Sequence, residues 1–247
     1  MTKPSLIQAL TACLDLTTLG ENDSPERVEA LCNRANAAGA AAVCVYPEHV
    51  DIARHTLIKL GSKVLVASVV NFPDGGADPH RARRECRRAI AAGAQEIDAV
   101  LPYRELLAGD AQPAMDVALA CRRACADRCL KLIIESGELH TPELIAQASK
   151  IAIDAGADFI KTSTGKVPVN ATLDAARCML KVIAKGKSKG ACGFKAAGGI
   201  RTVAQATEYY DLVVSILGPK AAKPRRFRLG ASSLLDSLEA AAGAADQ

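Results

Sequence analysis

Charged residues stand at alternate positions on several short apolar runs of this 247-residue chain, and their types suggest a chemistry. Lys161 shares one parity with Phe159 and Ser163, Lys195 with Gly193 and Ala197, Asp98 with Glu96 and Val100, and Lys131 with Ile133 and Glu135. Such runs read as strands, in which successive side chains point to opposite faces. If these parities face one interior, three lysines and three carboxylates converge there, and Asp15 adds a fourth acid. Burying charge is costly unless it is paired, so a purely structural core would carry Val and Ile instead. The plain alternative is that these charges stand at strand ends in solvent.

Two lysines beside an acid are what imine chemistry requires. An ordinary lysine, with a pKa of about 10.4, is protonated at neutral pH and cannot attack a carbonyl. A second ammonium nearby and loss of solvent both favour the free amine, which then condenses with an aldehyde or ketone. An adjacent carboxylate, or a water it holds, can move protons on and off the carbon next to the imine. Asp98, Lys161 and Lys195 together fit a Schiff-base aldolase. With four histidines, no H-E-x-x-H and no Cys/His cluster at zinc spacing, neither a metal nor another cofactor is expected.

Three further segments could hold a phosphate. They are Thr162–Lys166, containing Gly165 and Lys166; Ala197–Ile200, containing Gly198 and Gly199; and Gly230–Ser233, containing Ser232 and Ser233. Glycine lets backbone N–H groups approach an anion, and a helix opening after the loop adds free donors. Each alone is weak, because Gly and Ser before a helix are usually ordinary caps. The Gly186-Lys187-Ser188 stretch is a decoy, since a phosphate-binding P-loop needs glycine at 181, where Lys181 stands.

The elements that must position these groups follow from repeated signals. Ala38-Gly39-Ala40, Ala92-Gly93-Ala94 and Ala155-Gly156-Ala157 each end a helical pattern and lead into an apolar run. Glycine there supplies the left-handed turn that closes a helix. Candidate strands fall near 12–17, 41–46, 63–70, 95–100, 130–135, 158–163, 191–197 and 226–231. Helix starts are marked by Ser24-Pro25-Glu26 and Thr141-Pro142-Glu143. Eight strands alternating with helices predict an α/β chain folded as a single (β/α)8 TIM barrel over residues 1–247. An open doubly wound sheet would carry a G-x-G-x-x-G turn after its first strand, and LDLTTLGEND lacks one. In a barrel, Asp98, Lys161 and Lys195 sit toward the C-terminal strand ends, where barrel enzymes place their chemistry.

Composition agrees. The 47 alanines and the absence of Trp favour helices packed closely on a sheet over an aromatic-rich sandwich. A net charge of +4 is too mild to imply a nucleic-acid groove or an anionic membrane surface. No apolar run approaches a membrane span, and the N-terminal residues do not read as a signal peptide. Nine cysteines without a C-x-x-C pair read as reduced thiols of a cytoplasmic protein.

At these same residues the chain resembles the deoxyribose-phosphate aldolases. The segments that carry the likeness are LDLTTL (14–19), EIDAVLPYREL (96–106), KLIIESGEL (131–139), FIKTSTGKV (159–167), GFKAAGGIRT (193–202) and FRLGASSLL (227–235), in family order across nearly the whole chain. The resemblance implies reversible cleavage of 2-deoxy-D-ribose 5-phosphate to acetaldehyde and D-glyceraldehyde 3-phosphate, within deoxyribose catabolism. It implies that Lys161 forms the Schiff base, that Lys195 tunes it, and that Asp98 works a proton relay through water. Gly165, Lys166, Gly198, Gly199, Gly230, Ser232 and Ser233 match phosphate and substrate contacts. The expected partners are a small phosphorylated sugar and aldehydes, with neither nucleic acid nor membrane; a homodimer is allowed, as dimers occur among similar proteins. One departure stands out: many members end in a tail with a terminal Tyr that assists proton transfer, whereas this chain has no aromatic residue after Phe227 and ends in Gln247.

Other residues invite functional readings. Cys121, Cys125 and Cys129 at i, i+4 and i+8 suggest one helix face, packed and not metal-binding, because i+8 residues lie about 12 Å apart. Cys44 is either a buried inert thiol or a reactive one facing the barrel. The basic run Lys220–Arg228 reads as a solvated loop on the face opposite the chemistry. No histidine is given a catalytic role. Two other functions stay open: a lysine aldolase acting on a different phosphorylated sugar, and a silent sugar-phosphate-binding barrel.

Overall fold

The computed structural model describes residues 2–186 and 192–244; Lys187, Ser188, Ala191 and the terminal Gln247, named above, lie outside the described residues. The chain opens with helix α1 (Lys3–Ala12), strand β1 (Leu14–Thr17), α2 (Pro25–Ala38) and β2 (Ala42–Val45). After a short 3-10 turn at Pro47–His49 come α3 (Val50–Lys59), β3 (Leu65–Val70), α4 (Pro79–Ala91) and β4 (Glu96–Val100). The middle continues with the short α5 (Tyr103–Leu107), α6 (Gln112–Cys125), β5 (Cys129–Ile133), α7 (Pro142–Asp154) and β6 (Phe159–Lys161). It closes with α8 (Leu173–Lys185), β7 (Gly193–Ala197), α9 (Val203–Leu217), β8 (Phe227–Ala231) and α10 (Leu234–Gly243). The eight strands are parallel and hydrogen-bond in sequence order, β8 returning to β1, so the sheet is a closed (β/α)8 barrel. Each strand lies within one or two residues of its expected span.

The local signals act as their chemistry requires. Ser24 and Thr141 cap α2 and α7 by accepting the N–H of Arg27 and Leu144, each with Pro at the first helical position. Gly39 ends α2 at φ 72°, a conformation an L side chain resists. The three cysteines 121, 125 and 129 do not share a helix. Ala126 takes φ 48° and ends α6, so Cys129 begins β5 while Cys121 and Cys125 pack on Cys86 of α4.

Strand register stacks the charged positions. Asp98 pairs with Lys131, Lys161 with Lys195, and Lys195 with Arg228 on adjacent strands. Barrel interiors are usually filled by layers of branched apolar side chains. Here Ala42, Cys44, Ala67 and Val69 of β2 and β3 form one apolar patch. Val100, Ile133 and Phe159 share the inward parity, and the side chains between them are ionic. Gly193 makes room for this arrangement: a Cβ there would lie 2.5 Å from the Phe159 ring, over which the Arg228 guanidinium sits at 5.6 Å.

Candidate active site

Seven buried charged side chains fill the barrel axis. Lys131, Lys195, Asp15 and Asp98 have no solvent exposure, and Glu96, Lys161 and Arg228 have 5% or less. Asp98 is the hub. Its Oδ2 accepts from both Lys161 Nζ and Lys195 Nζ at 2.8 Å, and its Oδ1 accepts from Lys131 Nζ at 2.8 Å. Lys195 also donates to Asp15, while Lys131 meets Glu96 at 2.6 Å and Asp15 at 3.6 Å. Beneath them Arg228 spans Asp15 at 2.6 Å and Glu96 at 2.8 and 3.1 Å.

Arg228 corrects the expectation of a solvated basic loop. Residues 220, 223 and 225 of that run are exposed, but Arg228 already belongs to β8 and points inward. The signal was available, because Arg228 shares strand parity with Gly230. A solvent-loop reading of the run concealed it.

Charges in such a place must be paired, and the pairing sets their ionisation. Burial alone would raise the carboxyl pKa values, but Lys195, Arg228 and Lys131 around Asp15 outweigh it and hold Asp15 far below the usual range. Lys131, Lys161 and Lys195 do the same for Asp98. Burial would strip the proton from Lys195, yet Asp15 and Asp98 prevail, and its pKa is raised. Lys131 is likewise raised, through Asp98, Glu96 and Asp15. Among the described residues of this cluster, four cations therefore meet three carboxylates. Lys161 is the cation with the fewest carboxylate contacts: one, against two for Lys195 and three for Lys131.

Lys161 is also the member of the cluster that reaches an open cavity of about 280 Å³ at the C-terminal end of the barrel. Gly165, Lys166, Gly198, Gly199, Gly230, Ser232 and Ser233 line the same cavity. Lys195 and Asp98 do not line it; they lie directly beneath Lys161. Gly198 and Gly199 take φ 88° and 82°, and a Cβ on Gly198 would be 2.7 Å from Asn170. They do not open α9 themselves, since Thr202 caps that helix in a capping box with Gln205. Ser233 precedes α10 but makes no side-chain cap bond, which leaves its hydroxyl for the cavity. Lys166 closes the rim by donating to the Leu19 carbonyl at 2.7 Å. Sequence reasoning missed Arg201, an exposed cation on the same wall. Its position between Gly198-Gly199 and a helix start was the same kind of signal as Lys166.

Glu135 follows β5 at φ 51°, is fully buried, and accepts the Thr164 N–H at 3.1 Å, which ties down the loop carrying Gly165 and Lys166. Burial raises its pKa against the opposing bond from Thr164. Cys44 is buried, and burial raises its thiol pKa, the opposite of what a reactive thiol needs. Among the described residues no group of three His, Cys, Asp or Glu side chains is placed to hold a metal ion, and no helix is long and apolar enough to cross a membrane.

Comparison with known proteins bears on this geometry. The profile of the DeoC/LacD family aldolases matches residues 10–239. A protein from Coccidioides immitis proposed to be a deoxyribose-phosphate aldolase superposes with a TM-score of 0.84 at 29% identity, over 95% of this chain and 86% of that one. The tetrameric deoxyribose phosphate aldolase of Aeropyrum pernix gives 0.76 at 25% identity, over 97% of both chains. A Toxoplasma gondii structure gives 0.89 at 24% identity, over 98% of both chains, and shares the fold.

Proposed function

The chain belongs to the DeoC/LacD aldolase family, and from that premise we propose that it cleaves 2-deoxy-D-ribose 5-phosphate reversibly through a Schiff base on Lys161. One observation carries the reading: of the lysines bound to Asp98, only Lys161 opens to a cavity, and that cavity is lined by glycines, serines and cations of the kind that hold a phosphate. The phosphate would lie against Gly198, Gly199, Ser232 and Ser233, with Lys166 and Arg201 supplying charge. The open-chain aldehyde carbon C1 then faces Lys161.

The Lys161 amine adds to C1, and loss of water leaves a protonated imine. That step returns a positive charge to the place where an ammonium stood, beside Asp98 Oδ2. Cavity water takes the C3 hydroxyl proton as the C2–C3 bond breaks, and the proton is returned when C2 is protonated. The electron pair of that bond flows into the imine as an enamine, and glyceraldehyde 3-phosphate leaves. Protonation of C2 and hydrolysis release acetaldehyde and restore the amine. Asp98 is held so firmly as a carboxylate that it suits stabilising the iminium better than storing a proton. Lys195, kept as an ammonium on the same oxygen, holds a positive charge beside Lys161, and water in the cavity is left to carry protons to and from C2. Nine free cysteines support placing the activity in a reducing cytoplasm.

Borohydride reduction in the presence of acetaldehyde, followed by mass mapping, tests the assignment. A two-carbon adduct on Lys161 is expected. No adduct, or an adduct formed only with a ketose phosphate, would overturn it.

A further inference from the structure

The excess charge of this protein is concentrated on one helix. Helix α4 carries Arg81, Arg83, Arg84, Arg87 and Arg88 against Glu85, a formal +4, which equals the net charge of the whole chain. Arg81 is spent locally, on Asp74 at 2.7 and 2.9 Å and on Glu85 at 2.8 Å. On the neighbouring α6, Arg122 is spent on Asp158 and on nearby carbonyls. Arg83, Arg87 and Arg123 are different. Among the described residues they have no carboxylate partner, and they line a cavity of about 440 Å³ between α4 and α6.

The packing of the two helices creates that cavity. Small buried residues, Ala82, Cys86 and Ala89 on α4 and Ala114, Ala118 and Cys121 on α6, let the helices approach closely. Their outer rows then face one another over a floor of half-buried Leu119 and Ala120. His80, Arg83 and Arg87 recur along one face of α4, and Asp116 and Arg123 along one face of α6. Asp116 is the one acid of the lining, and its Oδ1 is engaged by Gln112 of its own helix at 2.8 Å. The lining keeps a surplus of positive charge.

We propose that this groove binds a compact polyphosphate, a chain of two or three phosphates taken either bare or as part of a nucleotide. Guanidinium forks match phosphate oxygens bidentately, which favours phosphate over a diffuse anion. The seven steps from His80 to Arg87 span about 10 Å of helix, the length of such a chain. Neither α4 nor α6 carries Phe, Tyr or Trp, and His80 is the one ring in the lining, so the arginines make the phosphates the main recognised part. The groove shares no residue with the cavity at Lys161.

Titration calorimetry with tripolyphosphate, pyrophosphate, ATP and orthophosphate tests this on the wild-type chain and on an R83A/R87A/R123A variant. All three positions are exposed, and unchanged acetaldehyde trapping on Lys161 verifies that the variant is folded. Saturable 1:1 binding of tripolyphosphate is expected, with ATP equal to it and orthophosphate weaker. The triple variant should lose affinity by roughly a hundredfold or more, and saturating glyceraldehyde 3-phosphate should leave binding intact. Absence of saturable binding, or equal binding by the variant, would overturn the proposal. So would displacement by glyceraldehyde 3-phosphate, preference for ATP by more than about tenfold, or tighter binding of an RNA oligomer that the triple variant abolishes.

Discussion

Replacing Lys195 by Met tests whether its charge prepares Lys161 for attack. Both nitrogens lie 2.8 Å from the same oxygen of Asp98, so they are no more than twice that distance apart. Two unit charges at such a separation repel by about 3 kcal/mol at an effective dielectric of about 20. Removing one of them forfeits a factor of about a hundred in the availability of the free amine at neutral pH. The fold should survive, because Asp15 keeps Arg228 at 2.6 Å and Asp98 keeps Lys131 and Lys161 at 2.8 Å. The assay is the initial rate of borohydride-trapped acetaldehyde adduct on Lys161, read by mass spectrometry between pH 7 and pH 10. A fall of roughly a hundredfold at pH 7 is expected, shrinking as the pH approaches that of an ordinary free lysine. A wild-type rate at pH 7 would refute the reasoning. A loss that stays constant up to pH 10 would also refute it, because a steric defect does not titrate.

Three further predictions rest on single contacts. R228M leaves Asp15 and Glu96 with lysines only, and breaking this buried bridge should cost about 3–5 kcal/mol. In a chain of this size that lowers Tm by roughly 6–20 °C in a circular-dichroism melt, and a Tm unchanged within error would contradict it. G198A forces a side chain at φ 88° against Asn170 and should raise KM for the phosphorylated sugar about tenfold or more while leaving acetaldehyde trapping intact. Equal loss in both assays would remove Gly198 from the phosphate site. E135Q keeps an acceptor for Thr164 but removes a carboxyl whose folded-state pKa is raised. Such a group costs stability above its folded pKa, and that cost fades as pH falls toward its unfolded value. Urea melts should therefore favour the variant at pH 7 to 8, with the advantage shrinking on acidification; an advantage that grows in acid would reverse the sign.

The eight strands and the axial placement of Asp98, Lys161 and Lys195 were legible because alternation is a local property of the backbone. A charge on an inward parity announces itself without knowledge of its partner. What the partner does was not legible, because partnership is set by register across strands far apart in sequence. Lys195 looked like a cation that merely raises the cost of a second charge nearby. The register shows that it also shares an oxygen with Lys161 and is itself held protonated by Asp15. Arg228 was hidden for a different reason: its neighbours Arg225 and Arg226 made composition louder than parity. The same bias worked in reverse on α4. A mild total of +4 argued against a nucleic-acid groove or a membrane-binding surface, and it concealed that one helix alone carries a formal +4. Charge thus carries information here as a distribution over elements. The total could not distinguish a cluster of four cations and three carboxylates inside the barrel from three arginines on its outer wall that have no carboxylate partner among the described residues.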